Sequence, residues 1–295
     1  MRQLVLLALL LCWVAVAAME ARADNLLVQC APKDIPLANA ITQNLQPLID
    51  DFQTKIGFYP QFPLRIVIAE DHAAYQKLVS NSSGVLEFSQ AHYNRSQQAI
   101  YVRHPGDLAR VDMLGTVLLH EYIHAYVDHY WRDPPLWFHE GMAVYFTEGV
   151  GVERSARYAL NDLFGIPLTL PQMSYYPKDA TAWETFYTKS ALAVQFFYTQ
   201  HRKEFYTFWD EAPRNGGRFT NALLLSTGMT EGDFGRALEQ WLKVKVRWEA
   251  MLATSSLIWG LMPLLMMLGR LRLHRKNRRI EQDWEAEIPD EPETD

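Results

Sequence analysis

From Ala250 to Gly269 the chain carries no charged residue, and at Arg270 it turns basic, with Arg270, Arg272, Arg275, Lys276, Arg278 and Arg279 in close succession. Twenty helical residues rise about 30 Å, the depth of a bilayer's hydrocarbon core. Backbone in lipid has to satisfy its own hydrogen bonds, so residues 250–269 are expected as one transmembrane helix. Ser255, Ser256, Gly260 and Pro263 dilute its hydropathy but are tolerated in such helices. Basic residues beside a span stay on the cytoplasmic side, which assigns residues 24–249 to the opposite side. The other end of the chain agrees. Arg2, the apolar run Leu4 to Ala18 and the small-residue pattern Ala21-Arg22-Ala23 are the parts of a secretory signal at 1–23, cleaved after Ala23. An uncleaved anchor helix is the alternative. The expected localisation is a single-pass membrane protein whose main domain is extracytoplasmic, periplasmic in a bacterium. The tail, residues 270–295, is basic and then acidic. Its part from Glu281 to Asp295 is expected to be disordered, because it has many charges and little to bury.

Between the two ends, a hydrophobic content of 49% supports a sizeable core. The net charge of -6 argues against nucleic acid as a partner, since such binders present a basic face. Once Cys12 leaves with the signal, Cys30 is the one remaining cysteine, which rules out an internal disulfide and a thiolate metal site.

Periodicity divides residues 24–249 into an α/β part (24–107) and a mainly helical part (108–249). Ile41, Leu45, Leu48, Ile49 and Phe52 recur at helical spacing between Ile35 and Phe58. Leu64 to Ile68 reads as a buried strand, His72 to Val79 as a helix, and Leu86 to His92 with Ala99 to Arg103 as a hairpin. From Leu108 to Tyr130 the pattern is one long helix, stopped by Pro134-Pro135, and a second follows from Leu136 to Thr147. Further helices are expected at 154–163, 182–199, 203–211, 218–226 and 231–249. The last of these is expected to run on into the span.

Chemistry concentrates in His120-Glu121-Tyr122-Ile123-His124. On a helix, histidines four apart share a face about one turn apart, where both imidazoles reach one zinc ion. Glu121 neighbours the first ligand and is placed to take a proton from a water that the zinc acidifies, acting as general base. A zinc peptidase needs a third protein ligand and leaves a fourth position open. His139 and Glu140, on the next helix, are both chemically suitable, but consecutive helical residues point about 100° apart, so only one of them faces the metal. Histidines at metal sites usually donate their second nitrogen to an oxygen acceptor, and Asp128 and Asp112 are the nearby candidates. His129 is rotated off the metal face.

The segment Trp137-Phe138-His139-Glu140-Gly141-Met142-Ala143-Val144-Tyr145 resembles the gluzincin zinc metallopeptidases, specifically their peptidase MA-like members with Trp-x-x-Glu-Gly-x-Ala-x-Tyr after the His-Glu-x-x-His helix. The resemblance spans residues 35–248, although only the two motifs are specific. It implies Glu140 as third ligand with His120 and His124, Zn2+ as cofactor, and hydrolysis of peptide bonds in a peptide or protein substrate. It also implies a zincin-like α+β fold, a small N-terminal mixed sheet with helices facing a helical C-terminal lobe with the zinc between them. A tyrosine that stabilises the oxyanion is expected beyond the third ligand, and Tyr187 lies where relatives place one; a core aromatic is the other reading of it. Some gluzincins carry an Asp one turn after the third ligand. Val144 stands there instead, so that interaction is missing or supplied elsewhere. A substrate groove in such folds is edged by a strand with a free edge, expected here near Ala99 to Arg103. The alternative functions for an exported domain of this kind are a zincin-fold adaptor without turnover and a hydrolase of cell-wall peptides.

Overall fold

Short β-branched segments and one amphipathic helix generate the first layer. A computed structural model of the chain describes residues 19–23, 25–80, 90–107, 114–164 and 168–287. Five strands form a mixed sheet: β1 (Met19–Ala23), β2 (Leu26–Cys30), β3 (Leu64–Ile68), β4 (Ala91–Asn94) and β5 (Ala99–Val102), in the order β1-β2-β3-β5-β4. The β2–β3 and β3–β5 pairs are parallel, and the two outer pairs antiparallel. Each parallel pair needs a crossover, supplied by α1 (Ile35–Ile56) and α2 (His72–Val79). Ala38, Ile41, Leu45, Ile49, Phe52 and Ile56 of α1 are buried at helical spacing, whereas Leu48, also in the predicted apolar set, is exposed. β5 is buried on both faces: Ala99 and Tyr101 join Tyr75 and Val79 of α2, while Ile100 and Val102 face the main core.

β1 and β2 were not anticipated. The expected signal covers 1–23, of which residues 1–18 lie outside the description, and Met19–Ala23 pair antiparallel with β2. The first hairpin strand is described from Ala91 to Asn94; the expected strand's residues 86–89 lie outside the described residues.

The helical lobe follows: α3 (Leu114–Tyr130), α4 (Leu136–Thr147), α5 (Val152–Phe164), α6 (Trp183–Gln200), α7 (Arg202–Glu211), α8 (Phe219–Thr227) and α9 (Glu231–Glu287). Pro135, with ψ of 149°, leaves the helical region and opens α4, so α3 and α4 fold back on each other. The contact of α4 with α6 is closer than any side chain would allow. A Cβ on Gly141 would lie 2.3 Å from the carbonyl oxygen of Ser190, which requires glycine beside Glu140. Trp131, Trp137, Phe138, Phe208, Trp209 and Phe219 are fully buried and pack edge-to-face or stacked, making an aromatic core that ties α7 and α8 to α3 and α4.

α9 runs unbroken from Glu231 to Glu287. The helix therefore continues past Gly269 into the basic segment and through the first acids, where a disordered tail was expected; residues 288–295 are outside the description. Helix extends readily from an existing helix, and after Gly269 no Gly or Pro intervenes before Pro289. Among the described residues no helix is long and apolar enough to cross a membrane. The expected span lies inside α9, and the side chains of residues 246–260 are outside the description.

Candidate metal centre

α3 is buried along most of its length, with Leu118, Leu119, Tyr122, Ile123, Ala125 and Tyr126 in the core, and this burial fixes the helix face that carries the two histidines. His120 and His124 stand one turn apart with ring centroids 4.8 Å from each other. Across from them α4 presents Glu140, whose carboxylate Oε2 is 3.7 Å from Nε2 of His120 and 3.8 Å from Nε2 of His124. These are ion-pair distances rather than hydrogen bonds. The three ligand atoms all lie within 4.8 Å of one another. The edges of a tetrahedron of nitrogen and oxygen ligands at metal-bond lengths measure about 3.4 Å. A contraction of a few tenths of an ångström for the two pairs that involve Glu140, and of up to about 1.4 Å for the two histidine nitrogens, would close this triangle on one ion. Two imidazoles and a buried carboxylate, all aimed at one point, thus form a group that could hold a metal.

Of the two candidates on α4, Glu140 faces the cluster, as the resemblance implied. His139 is turned to its side, with Nδ1 2.7 Å from Nδ1 of His124 and Nε2 3.0 Å from Oδ1 of Asp128. Asp128, one turn beyond His124, therefore binds His139 rather than merely hydrating the helix end. Asp112 lies outside the described residues. His129 packs on Phe62, with centroids 4.9 Å apart, away from the cluster.

Glu121 projects to the other side of the cluster. Its Oε2 accepts the backbone N–H of Tyr93 at 2.7 Å. Burial pushes the Glu121 carboxyl up to about 7, a rise moderated by the charge of His120 and the Tyr93 N–H. Glu140 is held at about 2: burial opposes ionisation, but His124 and His120 together with the Tyr176 hydroxyl outweigh it. Burial also lowers the proton affinity of His120, yet there the neighbouring Glu140, Glu121 and Glu148 prevail and raise it; His124, dominated by burial, is held well below the usual histidine range. Two carboxylates lining one cleft thus have proton affinities shifted in opposite directions, a pattern typical of sites that move protons.

The cluster lies at the floor of a cleft of about 490 Å³, walled by Ala91, His92 and Tyr93 on one side and by Ser174, Tyr176 and Tyr187 on the other. The wall strand is β4, not β5. β5 lies between β3 and β4 and has no free edge, so the expectation near Ala99 to Arg103 is corrected. Gln90 accepts a hydrogen bond from Arg103 at 2.9 Å; in the alternation of an antiparallel ladder, Ala91 and Tyr93 then turn their backbone polar groups away from β5, which is how the Tyr93 N–H reaches Glu121.

Tyr187 lines the cleft, and burial together with the charges of Glu140 and Glu121 raises its pKa. Nearer the cluster is Tyr176, unforeseen, whose hydroxyl donates to Oε1 of Glu140 at 2.5 Å. It comes from irregular chain between the short 3-10 turns Leu170–Ser174 and Ala180–Ala182. His92 was also missed; burial lowers its pKa against the pull of Glu140. The doublet Tyr175-Tyr176, in a segment with a Pro on each side (Pro171 and Pro177), was the one available signal for the first of these. No protein-family model matches the chain, and no curated protein matches it.

Proposed function

We propose that this chain is a membrane-anchored zinc peptidase of the gluzincin kind, in which His120, His124 and Glu140 hold the metal and Glu121 is the general base. The observation that carries the proposal is Glu121 itself. A metal site built for structure has no need of a carboxylate beside its ligands, and here one is buried, aimed into an open cleft and poised near neutral in its proton affinity. Zinc, when bound by such a set, supplies the Lewis acidity that allows water to lose a proton near neutral pH. Glu121 accepts the proton of the attacking water and returns it to the departing amine, while the Tyr93 N–H fixes which carboxylate oxygen is free to do so. Tyr176 holds Glu140 in place, and the hydroxyl of Tyr187 supplies a donor in the cleft for the developing oxyanion.

Membrane anchoring is supported by α9, where Leu261, Met262, Leu264, Leu265, Met266, Met267 and Leu268 are all exposed. A helix that leaves so many large apolar side chains uncovered, followed at once by six basic residues, has an environment suited to it in lipid.

The test is the full chain in detergent, as wild type and Glu121→Gln, assayed for bound zinc and for cleavage of an unfolded protein. Both proteins are expected to bind one zinc per chain, with hydrolysis reduced by about 10²-fold or more in the variant. Wild-type protein that takes up no zinc, or a variant that cleaves at the wild-type rate, overturns the proposal.

A further inference from the structure

The ligand His124 is not left to choose its own tautomer. His139 precedes Glu140 on α4, and its ring lies beside that of His124 with 20° between the planes and 4.6 Å between centroids. Two rings stacked face to face keep their atoms about 3.5 Å apart. The Nδ1–Nδ1 separation of 2.7 Å is much shorter, so the rings meet edge to edge and share a hydrogen bond in their common plane. Two lone pairs cannot face each other at that distance; one nitrogen has to donate.

Asp128 decides which. Its carboxylate can only accept, and Oδ1 stands 3.0 Å from Nε2 of His139, so the His139 proton is on Nε2. In a metal site that uses Nε2 of His124, that ring's proton is on Nδ1, so Nδ1–H of His124 is the donor in the imidazole pair and Nδ1 of His139 the acceptor. That leaves Nε2 of His124, the atom facing Glu140 at 3.8 Å, with its lone pair directed into the cluster. Asp128 is steadied in turn: Oδ2 lies 3.4 Å from Nε of Arg95, in the β4–β5 turn. Arg95 also donates through Nη2 to the carbonyl of Arg132 at 2.5 Å, tying that turn to the end of α3.

We infer that His139 and Asp128 are positioning residues that set the tautomer and ring orientation of His124, so that its Nε2 is presented as a ready metal ligand. In this chain they supply what a carboxylate at position 144 would otherwise have to provide, through one extra imidazole. The inference depends on the peptidase reading only in taking the cluster as a metal site.

Its test begins with metal-free wild-type chain in micelles, labelled with 15N at histidine. Long-range proton–nitrogen spectra are expected to show His124 protonated at Nδ1 and His139 at Nε2. His124 protonated at Nε2 instead overturns the inference, and this readout needs no variant to fold. Zinc affinity is then compared, by competition with a chelating dye, among wild type, His139→Phe and His139→Gln. The amide of Gln can accept from His124 and donate to Asp128, whereas Phe fills the space and does neither. His139→Phe is expected to weaken zinc binding about 10- to 100-fold, with His139→Gln within about threefold of wild type. Equal affinity of His139→Phe and wild type, or equal weakening in both variants, refutes a hydrogen-bonding role. A wild-type chain that binds no zinc refutes the peptidase reading instead, and the tautomer spectrum still decides this one.

Discussion

Removing the charge of Glu121 is expected to make the metal-free protein more stable, the opposite of its effect on the proposed hydrolysis. The side chain is buried, with 9% of its surface exposed, and its proton affinity rises from the ordinary 4.5 to about 7. Each tenfold change in proton affinity corresponds to 1.36 kcal/mol, so holding Glu121 ionised in the folded chain costs about 3 kcal/mol at about pH 8. The sign follows from the linkage. The unfolded chain ionises this group above 4.5 and the folded chain only above about 7, so the penalty grows as pH rises through that window and is then constant. At about pH 5 less than about 1 kcal/mol of it is left. Glu121→Gln keeps the length of the side chain and an oxygen for the Tyr93 N–H, and it has nothing to ionise. For a domain of this size the gain corresponds to about 6–12 °C in Tm at about pH 8. Thermal unfolding of the zinc-free full chain in detergent, followed by tryptophan fluorescence at several pH values, measures it. A variant no more stable than wild type at about pH 8, or a gap as large at about pH 5, would show that Glu121 is not held against its preferred protonation state.

Two further substitutions probe how the lobe carries the site. Gly141→Ala drives a methyl group to 2.3 Å from the Ser190 carbonyl oxygen and 2.8 Å from Cγ2 of Val194. Stability should fall by about 3 kcal/mol or more and zinc affinity should fall with it, because Glu140 is the adjacent residue; an unchanged Tm would show that α4 and α6 are not wedged as described. Lys189 is 1% exposed and pairs at 2.5 Å with Glu239, which is 36% exposed. Glu239→Ala strands a buried ammonium and is expected to cost about 3–5 kcal/mol, whereas Lys189→Met leaves a carboxylate that water can reach and costs about 1 kcal/mol or less. Urea unfolding that ranks the two the other way would contradict this account of the pair.

Features that depend on local spacing were legible in the sequence. His120 and His124 share a face because they are four apart on a helix whose apolar positions are unambiguous, and α1, α2 and α4 follow their periodicity closely. Glu140 needed the resemblance, since helical geometry alone leaves it level with His139. Tyr176 and His92 come from chain without a period, a turn-rich segment and a four-residue edge strand, and only tertiary packing brings them to the cluster. β2 is five residues long, and both its partners are separated from it by a turn or a whole helix, so nothing adjacent marks it as a strand. The same holds for the order of the hairpin strands: which of the two is outermost depends on the parallel pairing of β3 with β5, which joins residues more than thirty apart.

The continuity of α9 has a geometric consequence. Phe234, Leu238 and Leu242 are buried in the lobe, and Glu239 is fastened to Lys189, next to the Ser190 that meets Gly141 beside Glu140. No swivel separates that anchorage from the apolar stretch, which begins eleven residues later, about 16 Å further along the helix axis. On a membrane-anchored reading, the cleft is therefore held at a set height above the bilayer, facing a set compass direction. One residue added to that interval would raise it by about 1.5 Å and turn it by about 100°. On that reading the stretch between Glu239 and Ala250 is a ruler and a protractor at once, its length in residues setting both the height and the bearing of the cleft.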